Sequence, residues 1–141
     1  MVGDRDPAIR EFAIALGLPD SAIRFRGEIP YNQVAKEMQE ADSLIVFSNI
    51  ENSPCVIAEA LCCGLPVIAT RVGGIPELVD QTNSILIEPR NQDLLVEAMK
   101  DMIGSKEKYD RPKIAVIAQG KFNYKVIGNK FDEMYNEPSR T

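Results

Sequence analysis

The residues of this sequence whose types and spacing best suit chemistry are two glutamates eight positions apart, Glu51 and Glu59. Glu51 stands in a polar loop, residues 48–54, and Glu59 stands in the following segment, which is predicted to be helical. The first turn of a helix has main-chain N–H groups without partners inside the helix, and they form a site for phosphate or another anion. Two carboxylates flanking such a turn would accept hydrogen bonds from hydroxyls on either side of the anion.

A nucleotide sugar has the groups that this arrangement would bind. It carries a ribose diol, a diphosphate and a second set of hydroxyls on the sugar, which match the two carboxylates and the helix start between them. The competing interpretation is that Glu51 is an ordinary loop carboxylate and Glu59 a solvated or capping residue. Two glutamates at this spacing are common, so the spacing alone leaves both interpretations open.

The amino-acid composition excludes several other kinds of catalytic site. The sequence has no histidine, so Ser-His-Asp triads, Cys-His pairs and imidazole-based zinc sites cannot be built from this chain. Its three cysteines, Cys55, Cys62 and Cys63, are odd in number and two are adjacent, which suits a reducing compartment better than a disulfide framework. We therefore expect no bound metal ion.

The length and charge of the chain indicate one soluble globular domain. It has 141 residues, 45% of them hydrophobic, and a formal net charge of −5, a composition sufficient for a buried core. The acidic balance, with lysine and arginine scattered, disfavours nucleic acid as a partner. No apolar run approaches the roughly 18 residues of a membrane-spanning helix. Residues 1–6 lack the apolar stretch of a secretory signal, so a cytoplasmic location is expected.

The loop that contains Glu51 is predicted to join the strand and the helix of a βαβ unit. Residues 44–47 and 66–69 are apolar runs typical of strands covered on both faces. Residues 54–63, with proline at the start and Gly64 past the end, are predicted to form the helix between them. Strands joined in this way are parallel, and open parallel sheets bind ligands outside the carboxyl ends of their strands. The polar loop occupies that position.

The rest of the chain alternates strands and helices, which indicates an α/β fold with a Rossmann-like parallel sheet flanked by helices. Apolar residues at helical spacing predict the helices, and apolar runs or alternating patterns predict the strands. The further predicted strands are residues 22–25 and 84–87, and the further predicted helices are residues 6–16, 31–41, 91–102, 113–119 and a last one that carries Val126, Ile127, Phe131 and Met134.

Some conspicuous residues have a structural interpretation. Gly73 and Gly74 lack the spacing of a phosphate-binding loop and are predicted to form a tight turn that lets the backbone pass close to the ligand site. Cys63 is expected to be a small buried residue at a helix end rather than a reactive thiol. The side chains assigned to the core include Met99, Met102 and Ile103.

A longer pattern surrounds the two glutamates. The second is followed by Ala60-Leu61-x-Cys63-Gly64-Leu65-Pro66-Val67-Ile68-Ala69, and then by Val72-Gly73-Gly74-Ile75-Pro76-Glu77. Residues 41–77, with this EX7E motif, resemble the C-terminal, donor-binding domain of family 4 (group 1) retaining glycosyltransferases, enzymes of the two-domain GT-B architecture. Weaker similarity extends to Gly3-Asp4 and to residues 25–30 and 122–135, so the resemblance covers nearly the whole chain. It outweighs the interpretation of two unrelated carboxylates.

The resemblance implies a function. In this family the C-terminal domain holds a UDP- or GDP-sugar, the N-terminal domain brings the acceptor, and the sugar is transferred with retention of configuration, without metal or other cofactor. Applied to this sequence, the resemblance makes Glu51 the candidate catalytic residue, in contact with hydroxyls of the donor sugar. It places Glu59 beside the ribose diol. The remaining donor-binding candidates are the main chain of Ser53, Cys55 and Val56, beside the sugar and diphosphate, and of Gly27, Glu28 and Ile29, beside the base.

The sequence departs from the family's pattern in two places. Asn52-Ser53-Pro54 stands where a Gly-aromatic-Gly pattern is common, which changes the backbone beside the sugar. The family also has, before the equivalent of Gly3-Asp4, an acceptor domain and the first strand and helix of the donor domain, with an Arg and a Lys that neutralise the leaving diphosphate. We therefore expect residues 1–141 to be an N-terminally truncated donor domain, an incomplete half of a GT-B fold that is inactive by itself and has unpaired apolar strand edges.

Other functions stay open at this point. A stand-alone nucleotide-sugar-binding or regulatory module would bind a donor without catalysis, a sugar-nucleotide epimerase shares the two-domain architecture, and a receiver-like domain would need an acidic cluster and a lysine. The resemblance also suggests polysaccharide biosynthesis, peripheral membrane association of the full enzyme, and self-association through an exposed terminal helix. The sequence names neither the base and sugar of the donor nor the acceptor.

Overall fold

The computed structural model describes residues 7–136, and a small parallel sheet lies at its centre. Three strands, β1 (Leu44–Val46), β2 (Val67–Thr70) and β3 (Ser84–Ile87), pair in the order β1-β2-β3. Leu44 lies opposite Val67, and Val67 lies opposite Ser84. The parallel sheet confirms the predicted α/β class.

Helices follow each strand, and the hydrophobic spacing predicts those after β1 and β3. Most predicted helices are present with ends shifted by one to three residues, because helix ends are the least determined part of a spacing argument. A short helix after β2 and a 3-10 turn after the fifth helix were not predicted. In the described part of the chain the helices are α1 (Pro7–Ala15), α2 (Tyr31–Glu40), α3 (Cys55–Cys62), α4 (Ile75–Leu78), α5 (Gln92–Gly104), a 3-10 turn (Lys106–Lys108), α6 (Arg111–Phe122) and α7 (Tyr124–Asn136).

The chain divides into two compact units, Met1–Glu37 and Met38–Thr141. The first contains α1, an irregular segment and most of α2. Within it the Arg10 guanidinium lies 4.8 Å from the centre of the Phe25 ring, and Arg26 Nη2 lies 2.6 Å from Glu37 Oε1. These two contacts join the irregular segment to the helices before and after it.

The prediction of a strand at residues 22–25 is wrong. Within the described residues the three strands of the sheet pair only with one another, and a segment without a neighbouring strand cannot form a ladder of hydrogen bonds. The alternation that suggested the strand is present, since Ile23 and Phe25 are half-buried and Arg24 is exposed. The pattern therefore describes the burial of this segment correctly but not its hydrogen bonding. The similarity noted at Gly3-Asp4 lies outside the described residues.

The core of the second unit lies between the sheet and α3, α5 and α6. Every residue of β2 is buried, and complete burial of an aliphatic side chain contributes about 1.5–3 kcal/mol. β1 differs, because Ile45 is 42% exposed. The expectation of strands covered on both faces is thus correct for β2 and wrong for β1, which is an edge strand of the described sheet. The largest fully buried apolar side chains are Ile57, Leu61, Leu65, Ile68, Ile75 and Val67.

The outer helix α5 corrects part of the predicted core. Ala98 and Met102, one turn apart, are buried, whereas Met99 is 39% and Ile103 is 64% exposed. Adjacent helical residues point about 100° apart, so only one stripe of this helix reaches the sheet. The core assignment is confirmed for Met102 and wrong for Met99 and Ile103.

Arg111, at the start of α6, connects three parts of the second unit. Its guanidinium donates to the main-chain oxygens of Gly64 at 3.1 Å, Ala41 at 2.8 Å and Gln39 at 2.9 Å. The carbonyls at the end of α2 have no acceptor role inside that helix, so this side chain satisfies groups that would otherwise need water. None of the described helices combines the length and the apolar character needed to cross a membrane.

Candidate functional site

The loop between β1 and α3 leaves the sheet at the carboxyl ends of the strands, where the sequence places the site. Glu51 is half-buried in this loop, whereas Asn52 and Ser53 are exposed. Glu51 is therefore partly shielded from water.

The start of α3 has the features of an anion site. The helix begins at Cys55 after Pro54, whose φ of −70° and ψ of 111° are extended, and no side chain caps it among the described residues. The main-chain N–H groups of Cys55 and Val56 therefore lie at a helix start that no side chain of residues 7–136 caps. The positive end of the helix dipole adds to the attraction for a negative group.

Glu59 is the fifth residue of α3 and is half-buried. Four residues of helical rise place its Cα about 6 Å along the axis from that of Cys55. The buried face of the helix is formed by Ile57, Ala60 and Leu61, so Glu59 lies at the margin of the core with its backbone fixed by packing. It is thus a carboxylate on a rigid element one turn beyond the anion site.

The two cysteines at the end of α3 are near this carboxylate. Burial raises the pKa of the Cys63 thiol, and the Glu59 charge raises it further while Arg111 opposes it. Burial likewise raises the pKa of Cys62, with additional contributions from Cys63 and Glu59. A thiol with a raised pKa is a poor nucleophile at neutral pH. Cys63 lies at the helix end, as expected, but it is half-buried rather than buried.

Ser48 holds the side chain of Glu51. Its hydroxyl donates to Glu51 Oε1 at 3.0 Å. The main chain of Ser48 is in turn held by Thr70, the last residue of β2: the Thr70 hydroxyl donates to the Ser48 carbonyl at 2.6 Å and accepts from the Ser48 N–H at 3.1 Å. The Thr70 side chain is completely buried, so these bonds are made away from water.

The main chain of the loop is held by two glycines. Gly73 has a φ of +52°, and a Cβ added there would lie 1.7 Å from the carbonyl oxygen of Glu51. Gly74 donates its N–H to the Asn52 carbonyl at 2.7 Å. The predicted tight turn is confirmed, and the backbone that it approaches is that of the Glu51 loop.

The predicted site residues fall in both units. The second unit brings Glu51, Ser53, Cys55, Val56 and Glu59 together around the start of α3. Gly27, Glu28 and Ile29 belong to the first unit, in the segment between Phe25 and α2, where Gly27 has a φ of +60°. The role of these three beside a base stays a prediction.

Sequence reasoning missed Ser48 and Thr70. A signal was available, because each is a hydroxyl residue at the carboxyl end of an apolar strand run and the ends of neighbouring parallel strands meet at one edge of the sheet. Among the residues that the structure describes, no three histidine, cysteine, aspartate or glutamate side chains form a cluster that could hold a metal ion.

Known proteins provide an independent comparison. The family described as glycosyl transferases group 1 matches residues 1–105. An uncharacterised glycosyltransferase of Methanocaldococcus jannaschii is 38% identical over 88 residues, which cover 62% of this chain and 25% of that protein.

Two solved structures share the fold. Sucrose-phosphate synthase from Thermosynechococcus elongatus superposes with a TM-score of 0.83 at 24% identity over 96% of this chain and 37% of its own. Anabaena HepE in complex with UDP superposes with a TM-score of 0.80 at 25% identity over 93% of this chain and 36% of its own, and that protein has also been solved with UDP-glucose. The chain spans about a quarter of the curated relative and just over a third of each solved chain.

Proposed function

The chain belongs to the glycosyl transferases of group 1, and on that premise we propose that it supplies the nucleotide-sugar site of a retaining glycosyltransferase of GT-B architecture. In the reaction, the bond between the anomeric carbon and the diphosphate oxygen breaks and a bond to an acceptor oxygen forms with retention of configuration. The acceptor is brought by another domain. The observation that carries the proposal is the uncapped start of α3 between the carboxylates of Glu51 and Glu59.

The diphosphate of the donor binds at the start of α3. The main-chain N–H groups of Cys55 and Val56 donate to its oxygens, and that of Ser53 lies just before the helix. The dipole of a packed helix keeps its orientation during the reaction, so it stabilises the charge that develops on the leaving diphosphate without rearrangement. This role of the main chain supports a reaction that needs no metal ion, as proposed for this chain.

The two carboxylates bind the hydroxyl groups of the donor. Glu59 accepts hydrogen bonds from the ribose diol, and Glu51 accepts them from the donor sugar, closest to the reacting carbon. Support comes from the fixed position of Glu51 beside Ser48 and from HepE, a structural relative solved with UDP-glucose. Since the nucleotide sugar carries diols at both ends of its diphosphate, one carboxylate on each side of the helix start matches it.

The three cysteines, Cys55, Cys62 and Cys63, are all free thiols, which suits a reducing compartment. We place the protein in the cytoplasm on this basis. Assignment to polysaccharide biosynthesis and to a peripheral membrane location of the full enzyme follows the family resemblance.

Calorimetric titration of the chain with UDP, GDP, UDP-glucose and GDP-mannose tests the proposal. We expect one of the two nucleotides to bind together with its sugar conjugate, and Glu59→Gln to weaken both about tenfold or more, as expected for loss of hydrogen bonds to a charged group. Glu97→Gln, which alters an exposed glutamate of α5, is the matched control and should bind as the unmodified chain does. Absence of binding to the folded chain, or equal binding by both variants, would contradict the proposal.

A further inference from the structure

We infer that Thr70 and Ser48 are positioning residues that aim the Glu51 carboxylate at the donor sugar, an inference that rests on the proposed function. Neither side chain belongs to the EX7E motif, and neither is needed to form the helix start. They form a hydrogen-bonded relay from the end of β2, through the end of β1, to the candidate catalytic carboxylate.

The relay begins with a buried hydroxyl that both donates and accepts a hydrogen bond. Thr70 Oγ1 has one hydrogen, which it donates to the Ser48 carbonyl at 2.6 Å, and its lone pair accepts the Ser48 N–H at 3.1 Å. A hydroxyl has one donor and two acceptor positions, so a single side chain fixes both main-chain groups of Ser48. Because Thr70 is completely buried, water does not compete for these bonds.

The relay ends on one oxygen of Glu51. The Ser48 hydroxyl donates to Oε1 at 3.0 Å, and within the described residues the second oxygen, Oε2, has no protein hydrogen-bond partner. A charged acceptor strengthens the bond from Ser48. One oxygen is therefore held by the protein while the other is available to a ligand hydroxyl.

The main chain beneath Glu51 is fixed independently. Gly73 packs directly against the Glu51 carbonyl, and the Gly74 N–H holds the Asn52 carbonyl at 2.7 Å. With the main chain held in this way, the remaining freedom of Glu51 is its side-chain rotation, which is lost when a ligand binds. The Ser48 hydroxyl removes part of that freedom before the ligand arrives, which is how a supporting residue raises affinity for one group of a ligand.

The test compares the affinity for the nucleotide that the unmodified chain binds with the affinity for its sugar conjugate, UDP with UDP-glucose or GDP with GDP-mannose, in the same variant. The dissociation constant of the nucleotide divided by that of the conjugate isolates the contribution of the sugar, which Glu51 is proposed to bind. Ser48→Ala and Thr70→Val should each reduce this ratio about tenfold, because the ligand must then order the Glu51 side chain itself, while the affinity for the nucleotide stays within about twofold. Thr70→Ser retains the hydroxyl and should restore the ratio. A general folding defect would lower the affinity for both ligands equally and leave the ratio unchanged.

Ser84→Ala is the matched control. It removes another buried hydroxyl, which donates to the Asp80 carbonyl at 2.8 Å at the opposite end of the sheet, and it should leave the ratio unchanged. If the Thr70→Val variant fails to fold, the ratio measured for the Ser48→Ala variant alone tests the inference.

The outcomes separate the inference from the function on which it rests. If Glu51→Gln removes the contribution of the sugar but Ser48→Ala and Thr70→Val keep it, the relay is overturned and the proposed function stands. If the unmodified chain gains no affinity from the sugar, or binds none of UDP, UDP-glucose, GDP and GDP-mannose, the proposed sugar-binding role of Glu51 fails and the inference fails with it.

Discussion

Gly73 is the residue at which one added methyl group should disrupt the structure of the site most. Its positive φ costs other residues about 1–2 kcal/mol, and its Cβ would overlap the carbonyl of Glu51. We predict that Gly73→Ala lowers the free energy of unfolding by about 2 kcal/mol or more and abolishes nucleotide binding, because the Glu51 loop must move. Chemical denaturation and calorimetry measure the two effects.

Gly120 provides the matched control for that substitution. It lies inside α6, and a Cβ added there meets nothing within 4 Å. Gly120→Ala should therefore raise the free energy of unfolding by about 0.5–1 kcal/mol, because alanine is the better helix former. Equal stability of the Gly73 and Gly120 variants would refute the account of the turn.

At the scale of residues, the sequence predicts the two carboxylates of the site better than it predicts the residues that hold one of them in place. Glu51 and Glu59 can be selected because the longer pattern around them resembles that of a known family, whereas their spacing alone leaves the interpretation open. Ser48 and Thr70 cannot be selected in the same way, because their function depends on hydrogen bonds between positions 22 residues apart. Such contacts are determined by the register of the strands, which the sequence pattern does not specify.

At the scale of elements, Arg111 is expected to hold the end of α2 against the turn after α3. Arg111→Lys retains the charge but places all its donors on one atom, whereas Nε, Nη1 and Nη2 of Arg111 each reach a different carbonyl. We predict a decrease of about 1–3 kcal/mol in the free energy of unfolding, measured by urea denaturation. Arg71→Lys alters an exposed arginine that is 3.5 Å from Glu88, and a surface ion pair of this kind contributes about 0–1 kcal/mol. If both variants lose the same small amount, Arg111 has no special role.

The turn that leads into β3 should make stability depend on pH. The pKa of Asp80 is lowered, first by the hydrogen bond from the Thr82 side chain at 2.5 Å and next by that from the Thr82 N–H at 2.7 Å. Because the folded-state pKa lies below the unfolded one, Asp80 stabilises the protein above the unfolded pKa, and this stabilisation is lost as the pH falls through the folded pKa.

Asp80→Asn measures that contribution. The variant should be slightly less stable than the unmodified chain at neutral pH, and the difference should disappear in acid; the effect is small because the side chain is exposed. Thr82→Val, which removes the hydroxyl donor, should reduce the same pH-dependent component. A difference that stays constant across the titration would show that Asp80 acts without its charge.

The elements that the sequence predicted poorly are those that depend on their neighbours. The βαβ unit around Glu51 was predictable because its strands, helix and turns are signalled locally. Residues 22–25 have the alternation of a strand, yet strand formation requires a partner, and the described sheet provides none. The short helix α4 (Ile75–Leu78) is not predicted by the sequence pattern, since four residues are too few for a periodic signal.

At the scale of the whole molecule, α7 is expected to promote self-association. None of its residues is buried, and its apolar side chains include Phe131 at 53% and Met134 at 72% exposure. We predict that the mean mass in light scattering rises with protein concentration and that Phe131→Glu together with Met134→Glu suppresses the rise. A monodisperse monomer at all concentrations would contradict this expectation.

The measurement that tests the central claim most directly is amide NMR of the chain titrated with UDP-glucose and, separately, GDP-mannose. If the start of α3 binds the donor diphosphate, one of the two ligands should shift the amide signals of Ser53, Cys55 and Val56 in a saturable way. The account is contradicted if both ligands leave these signals unchanged. It is also contradicted if the shifts instead centre on the cavity of about 370 Å³ lined by Lys108 and Lys113 beside α6.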